Sequence, residues 1–165
     1  MGYVDVGYLS DPHDVKFQSG YVFLRQGAAI SWESMKQTTT TTSTNHSEII
    51  ALHDVTKECI WLRFVSKFVM DSTGLSTTGS PPIIIYKDNM ACVHQVQKGF
   101  VKGKNTKHIN PKMFFTHDVL GVDVDVRLVR SSENLADLFT KSFPNYIHKK
   151  LVHSISMRRL VDITT

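Results

Sequence analysis

At the start of the chain GYVDVGY alternates, with Tyr3, Asp5 and Gly7 on one face of an extended segment and Val4, Val6 and Tyr8 on the other. This period of two predicts a strand beginning almost at Met1, with a start expected to fray because so little chain precedes Asp5. LSDPHDVKFQS carries turn residues. GYVFLR and AAISWES then read as β-rich runs separated by Gln26 and Gly27, an antiparallel hairpin that makes a three-stranded meander with the first strand. The tract TTTTTSTN at 38–45 is expected to supply an extended lead-in and a cap to the next helix rather than a linker. From Glu48 onward Ile49, Leu52, Val55, Cys59, Leu62 and Val65 recur at three- and four-residue steps, one stripe of a long helix ending before Gly74. Pro81 and Pro82 lead into IIIY, whose unbroken apolar character predicts a central strand buried on both faces.

The second half continues in the same way. A short helix is expected after Asp88, then the basic stretch KGFVKGKNTKHINPK, then a helix through Met113, Phe114 and Phe115. In GVDVDVRLV the residues Val122, Val124, Val126 and Leu128 face one way and Asp123, Asp125 and Arg127 the other, a strand with one polar face. ENLADLFTKSF reads as a helix, and NYIHKKLVHSISMRRL as a basic amphipathic one. The order βββαβα(α)βα is that of an α/β fold with a mixed sheet. The long helix serves as a crossover that lays the first strand and IIIY side by side and parallel.

Composition narrows this picture. With 165 residues, 41% hydrophobic and 21% charged, the chain suffices for one globular domain with its own core, expected over 1–142, followed by a basic helical tail over 143–165. The net charge of +4, with a pI near 9.1, favours an anionic partner. Cys59 and Cys92 fall within apolar periodicities and form no CxxC pair, so they read as reduced core residues of an intracellular protein. Neither a signal peptide nor a membrane-length apolar run is visible, so no membrane partner is expected; cytoplasm or nucleus is the expected compartment.

The chemistry turns on Asp88, which ends the apolar run IIIYK. Asp and Asn are preferred N-cap residues, so Asp88 and Asn89 can simply open the following helix. Alternatively, the crevice beyond the carboxyl end of a parallel strand is where ligands and metals bind. The expected topology lets Asp5, Glu48, Asp88 and Asp137 converge on one rim. Such a cluster repels itself unless cations neutralise it, and two Mg²⁺ ions bridged by carboxylates are a known device for phosphodiester cleavage. Each acid also has a bland reading: Asp5 as a solvated side chain, Glu48 as a first-turn acid favoured by the helix dipole, Asp137 as an exposed helix residue. Lys102, Lys104 and Lys107, with His108, form a basic loop without an acid, either a solvated surface or a phosphate-tracking one.

GYVDVGY, SGYVFL, GAAISWESMKQT, STNHSEIIAL, IIIYKDNMACV, NTKHI and SSENLADLFTKSF, in that order and spacing, resemble the ribonuclease H domain of the Pol polyprotein of copia-type LTR retrotransposons, especially plant ones. The resemblance covers nearly the whole chain. It implies a ribonuclease H-like fold, a five-stranded mixed sheet flanked by helices, that hydrolyses the RNA strand of RNA–DNA hybrids. It also implies two Mg²⁺ ions, with Mn²⁺ able to substitute, and a reverse transcriptase domain of the same polyprotein as partner. By motif position the family's metal-binding carboxylates fall on Asp5, Glu48, Asp88 and Asp137, which leaves Asn89 as the better cap. Gly7 and His46 stand where the family often has acids, and Phe17 and Gln18 where it has small hydroxyl residues. Cellular ribonucleases H carry a catalytic His before the last Asp, whereas VRSSENLAD has none, as is usual for the copia type. These replacements leave all four acids in place, yet they also suit a decayed, non-catalytic remnant that at most binds nucleic acid.

Overall fold

The computed structural model describes residues 1–7, 16–38, 43–75, 79–99 and 109–158. Three strands open the chain: β1 (Gly2–Gly7), β2 (Gln18–Arg25) and β3 (Ala28–Lys36). They pair antiparallel in sequence as the alternation requires. Gln26 and Gly27 both have positive φ (53° and 83°), as the primed two-residue turns of tight hairpins require. The 29-residue helix α1 (Thr44–Ser72) returns the chain across the sheet to β4 (Ile83–Lys87), which lies parallel to β1. Then come α2 (Met90–Lys98), α3 (Asn110–Asp118), β5 (Val124–Leu128) and, after two 3₁₀ turns, α4 (Asn145–Ser154). The sheet order is β3-β2-β1-β4-β5, with β4 and β5 parallel. None of the described helices is long and apolar enough to cross a membrane.

Both faces of the sheet are covered. On one, Val4, Val6, Phe23, Ile85 and Val126 pack with Ile49, Leu52, Val55 and Cys59 of α1 and with residues of α2 and α3. The predicted stripe is therefore the core face of α1 along its first half, while Leu62 and Val65, further along, are half-buried. On the other face Val22, Leu24 and Ile155 pack with Tyr3, Leu135, Leu138 and Phe139. Cys59 and Cys92 are buried and free.

Several local expectations are corrected. β4 is an interior strand, as its apolar run predicts, but it is not buried throughout: Ile83, packed against the main core, and Ile84 are half-buried. Val122 lies in the turn before β5, and Leu128, at the end of that edge strand, is exposed. Ser43 stands extended at the N-cap of α1, but its side chain caps no described N–H. ENLADLFTKSF forms no α-helix. It folds as the 3₁₀ turns Ser131–Glu133 and Leu135–Phe139, because Asn134 interrupts it. The buried Asn134 side chain accepts from Ala136 N at 3.2 Å and donates to Val4 O at 3.1 Å, so this segment is pinned to β1 instead of winding on.

Candidate metal centre at the carboxyl end of the sheet

The β1–β4 register sets the geometry of the rim. Val4 lies opposite Lys87, so Asp5 and Asp88 follow as neighbours where the two parallel strands end. The third acid arrives from the far face of the sheet. A Cβ on Gly20 would sit 2.7 Å from Phe139 Cβ, and one on Gly7 would collide with the Thr140 carbonyl, so two glycines admit the 3₁₀ segment that carries Asp137. The missing acid at position 7 is thus a packing requirement here. Thr140 Oγ1 donates to Asp5 Oδ2 and fixes the carboxylate. Asp5, Asp88 and Asp137 then each offer an oxygen within 4.8 Å of the others.

The bland readings of Asp5 and Asp137 do not hold, since Asp5 is buried and Asp137 half-buried. Burial pushes the Asp137 carboxyl up to about 6; the Lys141 ammonium opposes the rise, and the nearby charges of Asp5 and Asp88 add to it. Lys141 Nζ lies 2.8 Å from Asp137 Oδ1 and 3.4 Å from Asp5 Oδ2. Burial lowers the affinity of that ammonium for its proton, but the three aspartates outweigh burial and hold it above the ordinary lysine range.

Glu48 occupies a separate place. It lies beyond the first turn of α1, so the helix-dipole reading fails, and it is buried on the α1 side of the sheet. Its Oε2 pairs directly with Nζ of Lys87, a side chain with no exposed surface that also donates to Val4 O at 3.4 Å. Its Oε1 accepts from Asn89 Nδ2 at 3.4 Å. Asn89 is also the N-cap of α2, accepting from Cys92 N at 3.0 Å, which frees Asp88 from that role. Burial pushes the Glu48 carboxyl up, with Lys87 pulling it back, and pushes the Lys87 ammonium down, with Glu48 and Asp5 raising it past its ordinary value. Direct contact lets each charge offset the burial of the other, so removing one partner would leave the other charge buried alone.

Three residues here went unread in the sequence. Lys87 carried a signal, since a lysine ending a buried apolar strand must have a partner. Thr140 and Lys141 carried none, because their role depends on where the 3₁₀ segment docks. Lys102, Lys104, Lys107 and His108 lie outside the described residues.

The donor set suits a divalent cation. It offers hard carboxylate oxygens at close quarters, their repulsion adds to the rise that burial gives Asp137, and the lysines already around it mark a place that favours positive charge.

A parallel β1–β4 pair flanked by an antiparallel meander, with acids on its carboxyl rim, is the ribonuclease H-like fold. The N-terminal RNase H domain of rv2228c from Mycobacterium tuberculosis superposes with a TM-score of 0.57, covering 93% of this chain and 96% of that one at 13% identity. LC11-RNase H1, solved in complex with an RNA/DNA hybrid, gives 0.54 over 84% and 91% at 17% identity. In sequence, the chain is 30% identical over 144 residues, 87% of its length, to the Retrovirus-related Pol polyprotein from transposon TNT 1-94 of Nicotiana tabacum, of which it spans 10%. No family model matches. The chain is a ribonuclease H-fold domain related to the Pol polyproteins of retrotransposons.

Proposed function

We propose that this chain is a ribonuclease H-type endonuclease that hydrolyses the RNA strand of RNA–DNA hybrids with a bound divalent metal, in the reverse transcription of a copia-type element. The convergence of Asp5, Asp88 and Asp137 within 4.8 Å carries the reading. These three residues would hold Mg²⁺ or Mn²⁺. A divalent ion there supplies Lewis acidity toward the phosphodiester and offsets the charge that develops on it. Thr140 orients Asp5, and Lys141, half-exposed beside it, yields its place or turns toward a phosphate. The basic loop with Lys102, Lys104, Lys107 and His108 would track the backbone, and the RNA 2′-OH would distinguish the strands. A reverse transcriptase domain of the same polyprotein and an intracellular place of action belong to this reading.

A labelled hybrid incubated with Mg²⁺ or Mn²⁺ tests it. Cleavage is expected from the wild type and none from Asp88→Asn, whose fold should persist because Asn89 supplies the cap. Activity surviving in that variant removes Asp88 from the site. Metal should also raise the melting temperature, by the equivalent of about 2.7 kcal/mol at a hundredfold excess over Kd, and not in the double variant Asp5→Asn, Asp88→Asn. A second reading, the non-catalytic remnant, is favoured by one observation: Glu48, Asp5 and Asp137 already have lysine partners within the chain. A folded chain with neither cleavage nor a metal-dependent melting shift would support it.

A further inference from the structure

The two lysines of the rim are not equivalent. The Lys141 side chain is 39% exposed, and an arriving cation can displace it into solvent. The Lys87 side chain has no exposed surface, ends a strand paired on both sides, and lies against Val4 O and Glu48 Oε2. It has nowhere to go without opening the sheet. Both oxygens of Glu48 thus have partners inside the chain, Lys87 on one and Asn89 on the other. With all groups charged and Lys141 displaced, the four carboxylates and Lys87 leave three negative charges, one fewer than the rim would hold without Lys87.

We infer that Lys87 is a built-in countercation that takes the place of a second metal ion at Glu48, so that the rim binds a single divalent ion through Asp5, Asp88 and Asp137. This rests on the metal-binding reading above and departs from the two-ion, four-carboxylate site that the resemblance implies. Glu48 becomes a positioning residue. It holds Lys87 and, through Asn89, the start of α2 beside Asp88.

Counting bound Mn²⁺ tests this without any turnover, by calorimetric titration together with loss of the free-ion electron paramagnetic resonance signal. The wild type should bind one ion per chain. Lys87→Met, which keeps the length of the side chain and removes its charge, should bind two. Two ions on the wild type, or one on a folded Lys87→Met, overturns the inference while leaving a metal site in place. No ion on a folded wild type overturns the metal-binding reading itself. If Lys87→Met does not fold by circular dichroism, Glu48→Gln decides by the number of ions: one ion still bound, even at lower affinity, supports the assignment, and no ion on the folded variant makes Glu48 a ligand and overturns it.

Discussion

Two carboxylate–lysine pairs share this rim, Asp137 with Lys141 and Glu48 with Lys87, and their chemical components are alike. Their surroundings differ. The Lys141 side chain is 39% exposed, whereas that of Lys87 is fully buried. Water screens and competes for the first, so it holds its place weakly, as exposed ion pairs do. The second has no water to fall back on, so each partner is needed to keep the other's charge tolerable. The same side chains therefore serve opposite ends: a cation that can leave, and a cation that belongs to the fold. A cleft of about 750 Å³ at the opposite end of β4 offers a further contrast. Its arginine, Arg63, is held by Asp123 at 3.1 Å and by the carbonyls of Pro81 and Ser80, so its guanidinium is engaged within the chain.

The largest effect should come from breaking the buried pair on one side. Lys87→Met is expected to destabilise the metal-free protein by about 3–5 kcal/mol in urea unfolding, with much of the loss recovered when Glu48→Gln is added. Equal losses in the single and double variants would show that packing rather than charge holds Lys87. Gly7→Ala should cost about 1–3 kcal/mol and weaken Mn²⁺ binding, because the new methyl group drives Thr140, and with it Asp137, away from β1. A variant as stable and as metal-competent as wild type would refute that close approach.

Acidity sharpens the exposed side of the comparison. The Asp137 carboxyl is raised from 3.8 to about 6 in the folded protein, so it holds its proton more tightly folded than unfolded. Its contribution to stability is complete below 3.8 and is lost as pH rises through about 6. The metal-free melting temperature should fall less over this interval in Asp137→Asn than in wild type. Mn²⁺ binds the deprotonated form, so its stabilisation of the wild type should grow over the same interval. A stabilisation by Mn²⁺ that is constant with pH would detach Asp137 from the site. The smallest effect belongs to Lys141→Ala. Its cost should be no more than about 1 kcal/mol, with Mn²⁺ binding unchanged or tighter since a competing cation is gone. Markedly weaker binding would make Lys141 part of the metal site's support.

Much of the scaffold was legible because it depends on neighbours in the chain. The alternation of Tyr3, Asp5 and Gly7 against Val4 and Val6 set the faces of β1, Gln26-Gly27 set the hairpin, and the stripe from Ile49 to Cys59 set the inner face of α1. Asn89 could be picked as a cap because capping is a local hydrogen bond. The form of the segment carrying Asp137 could not be read. ENLADLFTKSF has helical spacing, yet a buried bond from Asn134 to Val4 O and the room left by Gly7 and Gly20 outweigh that weak local preference.

The sequence by itself determined which acids were available and which strand ends would carry Asp5 and Asp88. Tertiary structure alone decided how the four acids divide. Asp5, Asp88 and Asp137 meet around one point, while Glu48, reaching the rim from the α1 face, meets Lys87. The physical reason is that a charge is fixed by what lies around it in space. Lys87 faces Glu48 because β4 pairs with β1 in the register Val4 to Lys87, and a slip of one residue would turn that side chain to the other face of the sheet.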